Sequence, residues 1–391
     1  MAWTAVYCFM VMMAIFVISE ILSHVTKGYV SFLVFASILF AAGFWSGILP
    51  SDLVSQTGIS ALTSGIVMPL IITNLGTTIN INDMLKEWKT VLISLVGLIG
   101  IAVFCCTVGT ALFGKIYAYS AVGPIAGGLV AAAMVQEEAN AAGMAQIGAF
   151  AMVLIAVQNM VGMPIATWCI KHDVRTKIKK AGLEKELKEG GHFKIPDIKL
   201  VPDVPKSLDT NQMNFFKTAL TASAGLLIGT FTPIPAAVAY LVLGVILQTV
   251  NFLPKAPLGK AGGAGFFMVC MMTMAPTSFA ALTPSEFVEM IAPIIGLMIL
   301  GVLGIAVFSI ISGKFVKYSP AISFAIGVTA LLGYPNTQII AEEAINTLDC
   351  SDKEKEMALK YVLPKMVVGG FATVTVASVI LASIIVPYIF A

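Results

Sequence analysis

The chain has 391 residues, of which 58% are apolar and 11% charged, and a formal net charge of +2. A soluble domain carries about 45–50% apolar and about 25% charged residues, so this composition, with a mean hydropathy of +0.94, belongs to a chain made for lipid and excludes most soluble classes. The small net charge leaves no basic footprint for nucleic acid, and the six cysteines (Cys8, Cys105, Cys106, Cys169, Cys270, Cys350) show no paired spacing, so they read as small packing residues rather than a disulfide framework.

A helix that crosses the hydrocarbon core needs about 20 mainly apolar residues. Runs of that kind lie at Thr4–Leu22, Tyr29–Leu49, Ile59–Thr78, Val91–Leu112 and Ile147–Ile170 in the first half, and at Phe216–Phe231, Ile234–Leu253, Ala264–Leu282, Val288–Ile311 and Val362–Ile389 in the second. Met1-Ala2-Trp3 lacks the basic start of a signal peptide, so the first run reads as a retained span. Two further segments, Ser120–Gly143 and Pro320–Ala344, are apolar but interrupted by glycine or proline, and glutamates lie near their ends. They read as hairpins that enter the bilayer and turn back, because non-helical backbone at that depth survives only where protein or a watery cavity satisfies it.

The segment Lys171–Gln212 holds ten of the 23 basic residues, and most other lysines fall on the same side if the ten spans alternate. The positive-inside rule then makes this segment cytoplasmic and both termini extracytoplasmic, in an integral protein of the cell (inner) membrane. The halves also match in register. At an offset of about 204 residues Gly100-Ile101-Ala102-Val103-Phe104 recurs as Gly304-Ile305-Ala306-Val307-Phe308, and Leu49-Pro50 as Leu253-Pro254; at 205, Gly128 meets Gly333 and Glu137-Glu138-Ala139 meets Glu342-Glu343-Ala344. Five spans and a hairpin per copy make the second copy upside down relative to the first. The expected fold is an all-α polytopic membrane protein: an inverted repeat over residues 1–170, a cytoplasmic linker over 171–212 and a second repeat over 213–391. Secondary transporters use this architecture, with sites near the midplane where broken elements of the two copies meet.

Ten spans in two inverted groups of five, a hairpin in each and a charged connection at mid-chain resemble the sodium/glutamate symporters and their distant kin, the 2-hydroxycarboxylate carriers. Of that family's Gly-Gly-x-Gly hairpin signature, Gly127-Gly128 keep the first two positions. The resemblance implies a homodimer whose hairpin-bearing domain moves across the membrane against a static domain, driven by a sodium gradient.

Asn336-Thr337-Gln338, directly after Gly333-Tyr334-Pro335, places three uncharged polar residues at a break. Side-chain oxygens and exposed carbonyls of this type coordinate sodium, so Asn336 and Thr337 are candidate ion ligands, while a helix start beside them attracts an anion; a polar turn satisfied by its own backbone is the plainer account. Gly127, Gly128 and Asn140 are the candidates of the first hairpin. Glu137, Glu138, Glu342 and Glu343 are candidate ion-coupling or proton-carrying groups, since a carboxylate inside a bilayer is costly unless paired or wet; solvated helix ends are the alternative. Thr73, Asn74 and Thr77 (with Gly76 and Thr78) lie opposite Pro276, Thr277 and Ser278 in the two copies, and read either as site lining or as hydroxyls bonded to the preceding turn. Gln158 and Asn159 are a further polar pair, on the pathway or gluing helices together.

The only arginine, Arg175, falls in the linker, so no guanidinium inside the bilayer grips a carboxylate. No zincin, nucleophile-elbow or Walker pattern is present, which argues against an enzyme. The sequence therefore points to a carrier of a small organic anion or amino acid such as glutamate, coupled to Na+ or H+ and needing no other cofactor. The alternatives are a fold with crossed broken helices, as in bile-acid carriers and sodium/proton exchangers, and a channel or non-transporting receptor.

Overall fold

A computed structural model describes residues 3–26, 32–78, 81–179, 201–202, 205, 209–274, 276, 280, 282–333 and 336–390. Among the described residues every regular element is helical. Six helices are long and apolar enough to cross a membrane: α1 (Ala5–Val25), α3 (Ile59–Thr78), α4 (Trp88–Phe113), α7 (Ala145–Lys179), α11 (Pro284–Phe315) and α14 (Asp352–Tyr388). Between them lie α2 (Phe32–Trp45), α5 (Lys115–Ile125), α6 (Leu129–Ala141), α8 (Asn211–Phe231), α9 (Ala236–Thr249), α10 (Ala264–Met272), α12 (Pro320–Leu332) and α13 (Asn336–Asn346). The chain is thus an all-α protein embedded in a membrane.

Several expected spans are shorter or longer than their apolar runs, for local reasons. Helix α9 starts only after Pro235, because proline at 233 and 235 denies the run Ile234–Leu253 an earlier start; it ends at Thr249, just before Asn251 takes a φ of 66°. Helix α10 stops at Met272; after a turn at Thr273, Met274, Pro276 and Ala280 of the expected run are helical again. Helix α7 runs on to Lys179, past the expected end at Ile170, since the extension packs on the protein: Asp173 and Val174 are buried, Ser319 donates to Asp173 and Lys177 donates to the Tyr361 hydroxyl. Both segments read as hairpins are pairs of helices separated by a break, at Ala126–Gly128 in α5–α6 and after Leu332 in α12–α13.

The helices pack through glycine. Helices α4 and α11 run antiparallel: Phe113 lies on Gly296 at one end, Gly100 on Gly304 in the middle, and Lys89 stands over the Tyr318 ring at the other end. A methyl on Gly100 would overlap the Gly304 carbonyl, and a methyl on Gly304 would overlap that of Gly100. Helices α3 and α9 cross in the same way at Gly76 and Gly244. Lipid tails are as apolar as leucine, so helices associate in a bilayer mainly by such close van der Waals approach.

Two large apolar cores and a small third one result. One gathers α4, α5, α7 and α11 to α14 around Ile101, Ile125, Phe150, Leu297, Ile326 and Tyr361. The other gathers α1 to α3 and α8 to α10 around Met12, Phe40, Ile72, Leu241 and Met271. Helix α6 lies at their seam: Val130, Ala132 and Ala133 join the second core while Ala131 and Val135 pack on Ala382 and Val386. Gly100→Val is expected to lower stability by about 1–3 kcal/mol through overpacking, read as an earlier midpoint of thermal unfolding in detergent. Gly65→Ala, where a methyl meets nothing within 4 Å, leaves that midpoint in place.

Candidate functional site

The two breaks meet. Gly127 adopts a φ of 84° and Gly333 one of 65°, a left-handed conformation that glycine reaches without a Cβ penalty. A methyl on Gly127 would overlap the Ala330 carbonyl oxygen, so the backbone of the first break lies against the last turn of α12. Both breaks also lean on one residue of α14. A methyl on Gly128 would sit 3.1 Å from the Val374 carbonyl and 3.0 Å from Ser378 Oγ, and one on Gly333 would sit 3.2 Å from the Val374 methyls. Val374 belongs to Ala372–Ala377, a stretch of α14 wound as a π-helix, a rare form that is frequent at functional sites.

Each break opens a helix N-terminus. Helix α6 begins behind Gly128 with no side-chain cap, and α13 begins at Asn336. The first N–H groups of a helix carry the positive end of its dipole and attract an anion where they have no partner; in α13 the Thr337 N–H already donates to the Gly333 carbonyl at 3.0 Å. Asn336 Nδ2 donates to the Leu332 carbonyl at 3.2 Å and so closes the end of α12 across the break. Thr337 is fully buried and its Oγ1 has no hydrogen-bond partner. Gly370 leaves it room, since a methyl there would stand 2.7 Å from that oxygen. In α7, Gln158 Oε1 and Asn159 Oδ1 are likewise buried without partners. They lie one turn before Gly162, where α7 packs on Leu331 and Leu332 beside the second break. Oxygen donors of this kind suit a hard cation, and buried oxygens without partners otherwise carry a desolvation cost.

The glutamates are placed differently. Glu137, Glu138 and Asn140 lie on the exposed side of α6, and Glu343 on that of α13, whereas Glu342 is half-buried and accepts from Gln338 Nε2 at 2.9 Å. The Thr73 cluster does structural work in this conformation. Thr73 donates to the Pro69 carbonyl at 2.9 Å, Thr77 donates to the Asn74 carbonyl at 2.7 Å and accepts from the Ala256 N–H at 3.1 Å, and Asn74 Oδ1 accepts from the Leu258 N–H at 3.0 Å. These bonds tie α3 to the loop after α9 and to the short helix Pro257–Lys260. Thr277 and Ser278 lie outside the described residues.

The structure thus brings Gly127, Gly128, Asn336 and Thr337 to one place, with Gln338 one residue on, and sets the Thr73 cluster on a different loop. It adds residues the sequence reading did not select: Val374, Ser378 and Gly370. Their signal was weak, a glycine pair (Gly369-Gly370) and scattered hydroxyls in an apolar run. No protein-family model matches this sequence, and no curated protein matches it. Asn74→Ala is expected to cost about 1 kcal/mol of stability, the worth of one hydrogen bond, read as an earlier midpoint than the parent's in thermal unfolding in detergent.

Proposed function

We propose that this protein is a sodium-coupled secondary transporter of a small organic anion or amino acid, working by an elevator-like alternating access. The observation that carries the reading is the meeting of the two helix breaks, with two helix N-termini and the partnerless Thr337 oxygen beside them. An anionic group of the solute is held by the N-termini of α6 and α13, and Na+ by oxygens of the Thr337 and Gln158–Asn159 region. Thr337→Val is nearly isosteric, so it separates binding from folding.

In this reading the broken pairs are re-entrant hairpins and the halves are inverted repeats. Two features support it. The start of α5 (Gly114 to Tyr117) and the segment after α6 (Ala142, Met144) line one cavity of about 750 Å³, so both outer ends of the first pair open on the same side, which favours a hairpin over a crossed broken helix. The matching helices α4 and α11 run antiparallel with Gly100 on Gly304, as an inverted pair requires. The body that holds both hairpins then moves against the core of α1 to α3 and α8 to α10. Ala132 and Ala133 of α6 give the seam small side chains, and the bond from Gln136 Nε2 to the Met274 carbonyl is what that movement releases. Charge bias puts the segment before α8 in the cytoplasm of a cell whose inner membrane holds the protein, and two copies form the functional dimer.

The test is thermal stabilisation of the purified protein by amino acids and carboxylates, each with and without sodium. A ligand bound only by the folded state raises the unfolding midpoint by mass action. The expected result is sodium-dependent stabilisation by one solute class, lost or weakened at least tenfold in Thr337→Val while the ligand-free midpoint does not fall. Sodium-independent stabilisation that grows in acid would replace Na+ by H+, and an undiminished response in Thr337→Val would remove that residue from the site.

A further inference from the structure

A second polar cavity, lined by none of the residues at the helix breaks, lies at the start of α8. It measures about 240 Å³ and is lined by Asp209, Asn214, Lys217, Asn251, Phe252 and Lys260, among others. Two ammonium groups face one carboxylate there. Lys217 Nζ donates to the Phe252 carbonyl at 2.9 Å and stands 5.0 Å from the centre of the Phe252 ring. Lys260 pairs with Asp209, which also accepts from Asn214 Nδ2 at 3.1 Å. These bonds, from Lys260 first and Asn214 second, hold the Asp209 carboxyl below its usual range. Each ammonium has three N–H donors, and among the described residues these contacts engage one of each.

Among the described residues the lining therefore carries one net positive charge and has donors to spare. That matches the single negative charge of a phosphodiester. It also has an apolar track beside it. Phe216, next to Lys217, is 62% exposed, and Leu220, Leu227 and Phe231 continue the exposed apolar side of α8 toward its other end. A phosphate group at Lys217 with hydrocarbon running down α8 is the shape of a lipid standing in its own leaflet. Basic pockets at the ends of membrane helices recognise anionic headgroups by this combination.

We propose that this pocket seats the headgroup of an anionic phospholipid, its phosphodiester between Lys217 and Lys260 and its acyl chains along α8. Asp209 is the built-in competitor. It occupies Lys260 when the lipid is absent and yields when the phosphodiester arrives, so the end of the segment before α8 is coupled to the lipid around it. The site stands independently of transport.

The experiment is native mass spectrometry of the detergent-purified full chain titrated with phosphatidylglycerol, phosphatidylcholine or inorganic phosphate. Phosphatidylglycerol should bind at concentrations where phosphatidylcholine does not. Lys217→Gln and Lys260→Gln should each weaken it about fivefold, the worth of one basic residue near a membrane surface, with Lys217→Arg retaining it. Asp209→Asn should strengthen it by a similar factor. Lys260 is 45% exposed, so its replacement reports on binding even where Lys217→Gln disturbs the fold. Equal binding of phosphatidylcholine would overturn the proposal, as would weaker binding in Asp209→Asn. Full displacement by equimolar inorganic phosphate would make the ligand a soluble phosphate instead.

Discussion

Backbone that leaves the helix in a buried interior has no water to bond to, and the central region is built around how this chain meets that constraint at Gly127, Gly128 and Gly333, all buried. The breaks at Gly127–Gly128 and at Gly333 are not buried separately. Gly127 lies on Ala330, and Gly128 and Gly333 share Val374, so each break forms part of the wall that shelters the other. The π-wound stretch of α14 fits the same need, since a π turn displaces side chains and carbonyls from their regular places, and it does so at the residue both breaks touch. A gap in two helices thereby becomes a polar spot with two helix N-termini and buried oxygens.

The rest of the fold separates what holds that spot from what surrounds it. The first three helices of each half share one core, the later ones with α5 and the α12–α13 pair share the other, and α6 packs on the first of these and on a small third cluster with Ala382 and Val386. Close glycine crossings join α4 to α11 in one core and α3 to α9 in the other. Packing of this type depends on shape alone, and a single methyl at Gly100 or Gly76 has nowhere to go. In the mechanism proposed, the seam at α6 is where the two bodies slide, and the alanines there fit that demand better than interlocking leucines would.

Much of this was legible in the residues. Apolar runs of about 20 residues located the long helices, and Gly127-Gly128 and Gly333 marked both breaks. The match of Gly100 to Gly304 was visible as a repeated pentapeptide, although not that the two glycines would touch. What the residues hid was partnership. Thr73, Asn74 and Thr77 look like a polar lining, but Thr73 donates to the Pro69 carbonyl of its own helix, and Asn74 and Thr77 accept from the backbone of Leu258 and Ala256, a contact across nearly half the chain that no local pattern announces. Thr337 shows the converse: a threonine at a helix start usually bonds nearby backbone, and only the fold shows that its hydroxyl is buried without a partner. Val374 was invisible because a valine in an apolar span carries no signal of its own.

In the function proposed, the paired breaks serve coupled transport. The most direct measurement is uptake of radiolabelled amino acids and carboxylates by proteoliposomes holding the purified chain, with and without an inward sodium gradient. The account predicts saturable accumulation of one solute class above its external concentration, collapsing when a sodium ionophore dissipates the gradient. Uptake that only equilibrates, at a rate indifferent to sodium and to protons, would contradict it and make the paired breaks a passive pore or a structural device.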